Sequence, residues 1–155
     1  MIAELNLQDR TAADELWLLQ HTAYRLEAEL IGFNEIPPLL ETVDMLQNCG
    51  ETFYACYGDG DELIGAVAVQ EETPGTLTVT RMMVHPDFFR QGIAGRLLRH
   101  IFTVYAGMGE FRVSTGSKNA PAVALYSKHG FIPCGRQEVA PGVELVEFHR
   151  QGRMG

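Results

Sequence analysis

"RMMVHPDFFRQGIAGRLLRHI", residues 81–101, passes from an apolar strand-like run through a histidine-proline turn into a glycine-bearing loop and then an amphipathic helix. Pro86 ends the run, because proline lacks an N–H and holds its predecessor in extended backbone. Gly92 and Gly95, with small Ala94 between them, then stand where strand gives way to helix. The first turn of a helix exposes unpaired amides at the positive end of its dipole, and a residue without Cβ lets an anion reach them. Arg90 and Arg96 flank the loop with positive charge. The stretch reads as an anion cradle, set against the plainer reading of a turn that needs glycine only for its dihedrals. No GxxxxGK[ST] and no GxGxxG occurs, which removes a P-loop and argues against a dinucleotide Rossmann site.

Working outward, the elements alternate. "TFYACY" (52–57) and "ELIGAVAVQ" (62–70) are strand-like runs separated by "GDGD", a hairpin signal, and "ETPG" turns the chain into a third strand, Leu77–Val84. These three are expected to form an antiparallel meander. Before them, Thr11–Asp14 resembles a capping box, and Leu16, Leu19, Ala23, Leu26 and Leu30 recur at the spacing of one helical face. "GFNEIPP" breaks that helix, and Leu39–Asn48 reads as a second, closed by Gly50. After the cradle, the pattern predicts a helix over Ile93–Ala106, a strand over Phe111–Thr115, a helix over Ala120–His129 and a hairpin of Phe131–Glu138 with Val143–His149 across "APG". The class is α/β, one domain over 1–155, with a mixed and mostly antiparallel sheet flanked by helices.

The composition fits such a domain: 155 residues with 46% apolar content and 21% charge are enough for a sizeable core. No apolar run approaches the ~18 residues of a membrane span, and "MIAELNLQDR" lacks the order of a signal peptide, so a cytoplasmic location is expected. Cys49, Cys56 and Cys134 form no CxxC pair and leave an odd count, which predicts reduced, packed thiols. His21, His100, His129 and His149 show no metal-ligand spacing, and no metal is expected. The net charge of −8 is uneven: residues 1–80 hold 15 acidic against 2 basic residues, and residues 81–155 hold 5 against 10. The basic half suits a polyanionic ligand and the acidic half a cationic one, while the basic count is too thin for nucleic acid.

Two blocks carry a family resemblance. "RMMVHPDFFRQGIAGRLL" is similar to the acetyl-CoA-binding motif of the GCN5-related N-acetyltransferase (GNAT) superfamily, whose loop reads Gln/Arg-x-x-Gly-x-Gly/Ala and opens a helix. Gly92 and Ala94 match that pattern; Phe89 stands at its first position, where the family prefers Gln or Arg, and Arg90 is the neighbouring substitute. "STGSKNAPAVALYSKHGF" resembles the strand and helix that follow in the family, with its Asn…Leu-Tyr…Gly-Phe ending. The order of elements matches from Thr11 to His149.

The resemblance implies the fold of that superfamily and a direct transfer of acetyl from acetyl-CoA to an amine acceptor. It implies that the strands before and after the glycine loop splay, that main-chain groups of Met82, Met83 and Val84 bind the pantetheine arm, and that the pyrophosphate rests on the amides of Arg90, Gln91, Gly92, Ile93, Ala94 and Gly95. Asn119 and Tyr126, two helical turns apart on one face, would contact the arm and protonate the leaving thiolate. Without the family they are an N-cap and a buried aromatic. An amide of Met83 or Val84 would serve the oxyanion. The base is open among Glu72, Glu71, Glu35 and His85, with Glu72 at the strand end where relatives often place one. Lys128 reads as a solvated charge, with the coenzyme phosphates as its other partner. Glu27, Glu29, Glu35 and Glu41 on the expected acceptor wall suggest a small cationic amine; Phe33, Ile36, Leu39 and Leu40 allow an apolar one. A protein or peptide amine, a homodimer, and a silent acyl-CoA-binding module are the remaining alternatives.

Overall fold

The apolar runs around the GDGD turn lie within a seven-stranded sheet in the computed structural model, which describes residues 1–152. β1 (Ile2–Glu4), β2 (Thr52–Tyr57), β3 (Leu63–Thr73) and β4 (Thr76–Val84) pair antiparallel in chain order, β1 being a strand the pattern did not predict. β5 (Glu110–Gly116) then lies parallel to β4, and β7 (Val143–Gln151) and β6 (Ile132–Ala140) complete the sheet antiparallel beyond it. A parallel pair needs a crossover, which α4 (Ile93–Val104) supplies. β6 is a largely exposed edge, so Cys134 is exposed, contrary to the packed thiol expected there; Cys56 is buried and Cys49 half-buried.

Two cores sit on opposite faces of the sheet. One packs Leu77, Val79 and Val113 against Leu97, Leu98 and Ile101 of α4 and against Tyr126 of α5 (Ala120–Lys128). The other packs Phe53, Ala66, Ala68 and Met83 against Leu16, Leu19, Tyr24, Ala28 and Ile31 of α1 (Arg10–Ile31). β4 serves both because it carries a bulge. Val69 pairs with Val79 and Ala68 with Arg81, which leaves Thr80 as an extra residue. A one-residue slip exchanges the two faces, so Leu77 and Val79 point to the α4 side whereas Arg81 and Met83 point to α1.

The α1 cap is Asp9, whose side chain accepts from the Thr11 N–H, rather than the expected box from Thr11. The expected stripe of Ala23, Leu26 and Leu30 is not the core face: Tyr24, Ala28 and Ile31 pack on the sheet, and Leu30 is 50% exposed. The single helix expected over 39–48 is two, α2 (Pro37–Leu40) and α3 (Val43–Gln47). They are separated because Glu41 and Thr42 are extended, Thr42 capping α3 by accepting from the Met45 N–H.

Glu41 is extended where its carboxylate meets Arg81. That guanidinium, 9% exposed, donates to Glu41, to both oxygens of Glu51 (3.0 and 2.9 Å) and to Gln20 (2.9 Å), while Gln20 donates in turn to Glu41 (2.8 Å). Trp17 donates to the Glu41 carbonyl at 2.9 Å. This knot joins α1, the α2–α3 junction, the start of β2 and the centre of β4. Burial alone would raise the Glu51 pKa, but the hydrogen bonds from Arg81 and Thr80 hold it below the usual carboxylate range.

Candidate active site

The parallel contact between β4 and β5 is short, running only from Thr76 opposite Glu110 to Val79 opposite Val113. Past the Thr80 bulge the two strands part, while β5 stays paired with β7 as far as Gly116. The opening is a cleft of about 400 Å³ whose walls come from the second half of α1, the end of β4, the loop and first turn of α4, and one face of α5.

Strand geometry decides which main-chain groups face that opening. The His85 N–H bonds back to Ile64 in β3 (2.8 Å), and the Met82 N–H turns the other way, to the Tyr24 hydroxyl (3.1 Å). Alternation along the strand turns the Val84 N–H, like that of Met82, away from β3, and the Met83 N–H towards it. Of the two amides expected for an oxyanion, Val84 is therefore the one on the cleft side. The Met82 N–H is already engaged by Tyr24, a residue the sequence pattern did not single out.

At the other end of the cleft, Gly92 caps α4 with φ +76, a left-handed conformation that a Cβ would strain, and open space lies where that Cβ would be. No side chain of the described residues caps this helix, and the first intrahelical bond is from Arg96 to Gly92. The amides of Ile93, Ala94 and Gly95 thus keep their hydrogens for a ligand. Arg90 also has a positive φ, +65, which costs a non-glycine residue about 1–3 kcal/mol and is the kind of strain that clusters at ligand loops. Gly95 has a different reason for being glycine: a Cβ there would meet Arg99 Nη1 at 3.1 Å and the His129 ring at 3.3 Å.

Inside the cleft, Asn119 caps α5, its Oδ1 accepting from the Ala122 N–H (3.3 Å), and its Nδ2 donates to Glu27 Oε1 of α1 (2.8 Å). Tyr126, 4% exposed, lines the same space, and its hydroxyl has no protein partner among the described residues. Burial, then the neighbouring Tyr24 and Glu27, push the Tyr126 pKa far up, so the phenol keeps its proton. Burial likewise raises Glu27, against the lowering effect of its bond from Asn119.

The structure therefore brings together Met82, Met83, Val84, Arg90, Gly92, Ile93, Ala94, Gly95, Asn119 and Tyr126, all of which line the cleft. Gln91 is exposed and outside the lining. Glu72 is corrected: it lies exposed at the hairpin between β3 and β4, whereas the cleft is at the opposite end of β4. Glu71 accepts from the Gly75 N–H in that hairpin, His85 from the Asp87 N–H, and Glu35 and Lys128 are exposed; none of them lines the cleft. Of the four carboxylates on the expected acceptor wall, Glu27 alone does, Glu41 being tied to Arg81. The apolar residues expected there, Phe33, Ile36, Leu39 and Leu40, are absent from the lining; Leu26, Leu30, Phe88 and Phe89 supply its apolar surface instead.

Known proteins resemble this chain in sequence and in fold. Residues 49–133 match the family model described as "Acetyltransferase (GNAT) domain". The chain is 38% identical over 149 residues to UPF0157 protein YqkA of Bacillus subtilis (strain 168), covering 96% of this chain and 43% of that protein. It is 34% identical over 98 residues to the uncharacterized N-acetyltransferase YedL of Escherichia coli (strain K12), covering 59% of this chain and 60% of that one. It thus spans about half the length of these curated relatives. Among solved structures, the ribosomal-protein-S18-alanine N-acetyltransferase from Escherichia coli superposes with a TM-score of 0.78 at 17% identity, covering 100% of this chain and 96% of that one.

Proposed function

Because the chain belongs to the GNAT acetyltransferase family, we propose that it transfers the acetyl group of acetyl-CoA directly to an amine held in the cleft between β4 and β5. The observation that carries this reading is the opening itself: a buried phenol inside it, and an uncapped helix start at one end. The residues present fit the donor. The free amides of Ile93, Ala94 and Gly95, with Arg90 beside them, suit the pyrophosphate, and the space over Gly92 admits it without a Cβ in the way. The parted end of β4 suits the pantetheine arm, which would lie where a neighbouring strand otherwise would.

Amine attack on the thioester carbonyl makes a tetrahedral oxyanion, and the Val84 N–H is the preorganised donor on the cleft side. The retained proton of Tyr126 goes to the sulfur as the C–S bond breaks. No covalent acyl-enzyme is invoked, since among the described residues no cysteine, serine or threonine lines the cleft. Glu72 takes no part.

The acceptor is a small amine or a protein or peptide amine; the apolar lining from Leu26, Leu30 and Phe89 favours an amine carried on an apolar stem over a highly charged polyamine. The second reading, an acyl-CoA-binding module without turnover, rests on Phe89, 49% exposed at the loop's first position. Both are tested by amine-dependent release of free coenzyme A from acetyl-CoA over polyamines, amino acids, aminoglycosides, and lysine and N-terminal alanine peptides. Release with one class establishes transfer and names the acceptor; binding of acetyl-CoA with release from none would sink the transferase reading.

A further inference from the structure

Three half-buried carboxylates lie beside β4, and they are treated differently. Glu41 and Glu51 share Arg81. Among the described residues Glu27 has no cation bonded to it: its hydrogen-bond partner is the neutral amide of Asn119. A half-buried carboxylate left without counter-charge costs stability, and one that lines a cleft is a candidate functional group. Asn119 fixes that use in space. Its Oδ1 is occupied by the Ala122 N–H at the start of α5, so its Nδ2 is aimed at Glu27, and the carboxylate is tied from α1 to the start of α5 while lining the cleft.

The groups facing Glu27 are few. Tyr24 comes from its own helix and Tyr126 from α5; β4 contributes apolar Met82–Val84, and the loop before α4 contributes Arg90 at the cleft rim. Among the described residues Glu27 is the only carboxylate lining the cleft, and no histidine lines it. We propose that Glu27 is the general base of the transfer, receiving the proton of an acceptor that arrives as an ammonium ion and supplies the missing counter-charge. This rests on the acetyltransferase reading above.

The protons balance. Glu27 takes one from R–NH3⁺, and the freed amine forms the C–N bond to the thioester carbonyl carbon. As the C–S bond breaks, Tyr126 gives its proton to sulfur and regains one from the nitrogen of the collapsing intermediate. The products are the amide, the free thiol and a protonated Glu27, which releases its proton to water. Burial assists the first step, since a carboxylate raised above its ordinary range is a better base and an ammonium desolvated in the cleft is a better acid.

The test is Glu27→Gln, which keeps an oxygen for Asn119. With an amine accepted by the wild-type protein, kcat/KM at neutral pH is expected to fall by about 10²-fold or more, with acetyl-CoA affinity unchanged. The deficit should narrow with rising pH, because the variant's rate climbs roughly tenfold per unit with the free-amine fraction while the wild type levels off. A purely structural residue would not produce that pH signature. Glu27→Asp, retaining a carboxylate, should keep the wild-type profile at a reduced rate, and serves if the Gln variant folds poorly. Parallel pH profiles with kcat/KM within about threefold of wild type would overturn the assignment while leaving the transfer intact. A wild-type protein that binds acetyl-CoA yet acetylates no amine would overturn the transfer itself, and the base with it.

Discussion

The knot around Arg81 and the cleft around Glu27 share two elements, α1 and β4. In the knot, every polar side chain is answered: one guanidinium serves two carboxylates, Gln20 fills the remaining positions, and Trp17 ties the α2–α3 junction down. In the cleft, a carboxylate and two phenols lie together with no cation among the described residues bonded to them, and burial pushes all three pKa values up. The difference separates scaffold from chemistry. Polar groups that satisfy one another fix the geometry of β4, and those a few residues away are left available to a ligand.

The strongest way to break this contrast is Arg81→Ala. It leaves Glu41 and Glu51 without their shared cation, with Gln20 and Thr80 still donating to them, and a loss of about 3–5 kcal/mol in denaturant unfolding is expected. A loss below about 1 kcal/mol would mean that the knot is solvated in solution and holds little. On the cleft side, Tyr126→Phe removes one hydroxyl from a site where no protein group depends on it. Stability should hardly change, acetyl-CoA binding should persist, and kcat should drop about 10²-fold, read in single-turnover assays. Equal losses in binding and turnover would make Tyr126 a wall rather than a donor.

The two carboxylates sharpen the comparison through their signs. Glu51, held below its ordinary range, stabilises the fold above its unfolded pKa, and that contribution disappears as pH falls through its folded value. Glu27, held above its ordinary range, is the reverse: its protonated form is the one the fold prefers, and stability is lost as pH rises through its folded value. At neutral pH, Glu51→Gln should lower the melting temperature, by roughly 1–3 kcal/mol of stability, and Glu27→Gln should raise it. Toward acid the rise from Glu27→Gln should fade. Smallest is Gly92→Ala, expected to cost about 1 kcal/mol through its left-handed φ and to weaken acetyl-CoA binding more than it weakens the fold, read by calorimetry.

What was legible in the sequence was what is local. The loop of Gly92–Gly95, the pairing of Asn119 with Tyr126 on one helical face and the antiparallel meander follow from spacing within single elements, and the structure places them as expected. The base did not follow. Glu72 and Glu27 look alike in sequence, and only the hairpin's direction, which puts Glu72 at the far end of β4, tells them apart. The same holds for the Arg81 knot, whose partners are 30 to 61 positions away along the chain. It also broke the helix expected over 39–48, because Glu41 pairs with Arg81 instead of continuing a turn. Thr80 gave no signal at all: a bulge is set by register with β3, and a threonine fits a regular strand as readily. The α1 stripe misled for a related reason, since leucines that line a cleft have the same period as leucines in a core.

The short seam between β4 and β5 has a consequence for solvent hydrogen exchange. A strand in the middle of a seven-stranded sheet ordinarily protects every amide, yet beyond Val79 this one has a neighbour on one side only. Amides from Arg81 to His85 should therefore exchange in an alternating pattern, with Met83 and His85 slow against β3, Val84 fast, and Met82 protected only as well as the Tyr24 hydroxyl holds it. Filling the gap would slow Val84, so that one backbone position reports, in deuterium, whether the centre of the molecule is occupied.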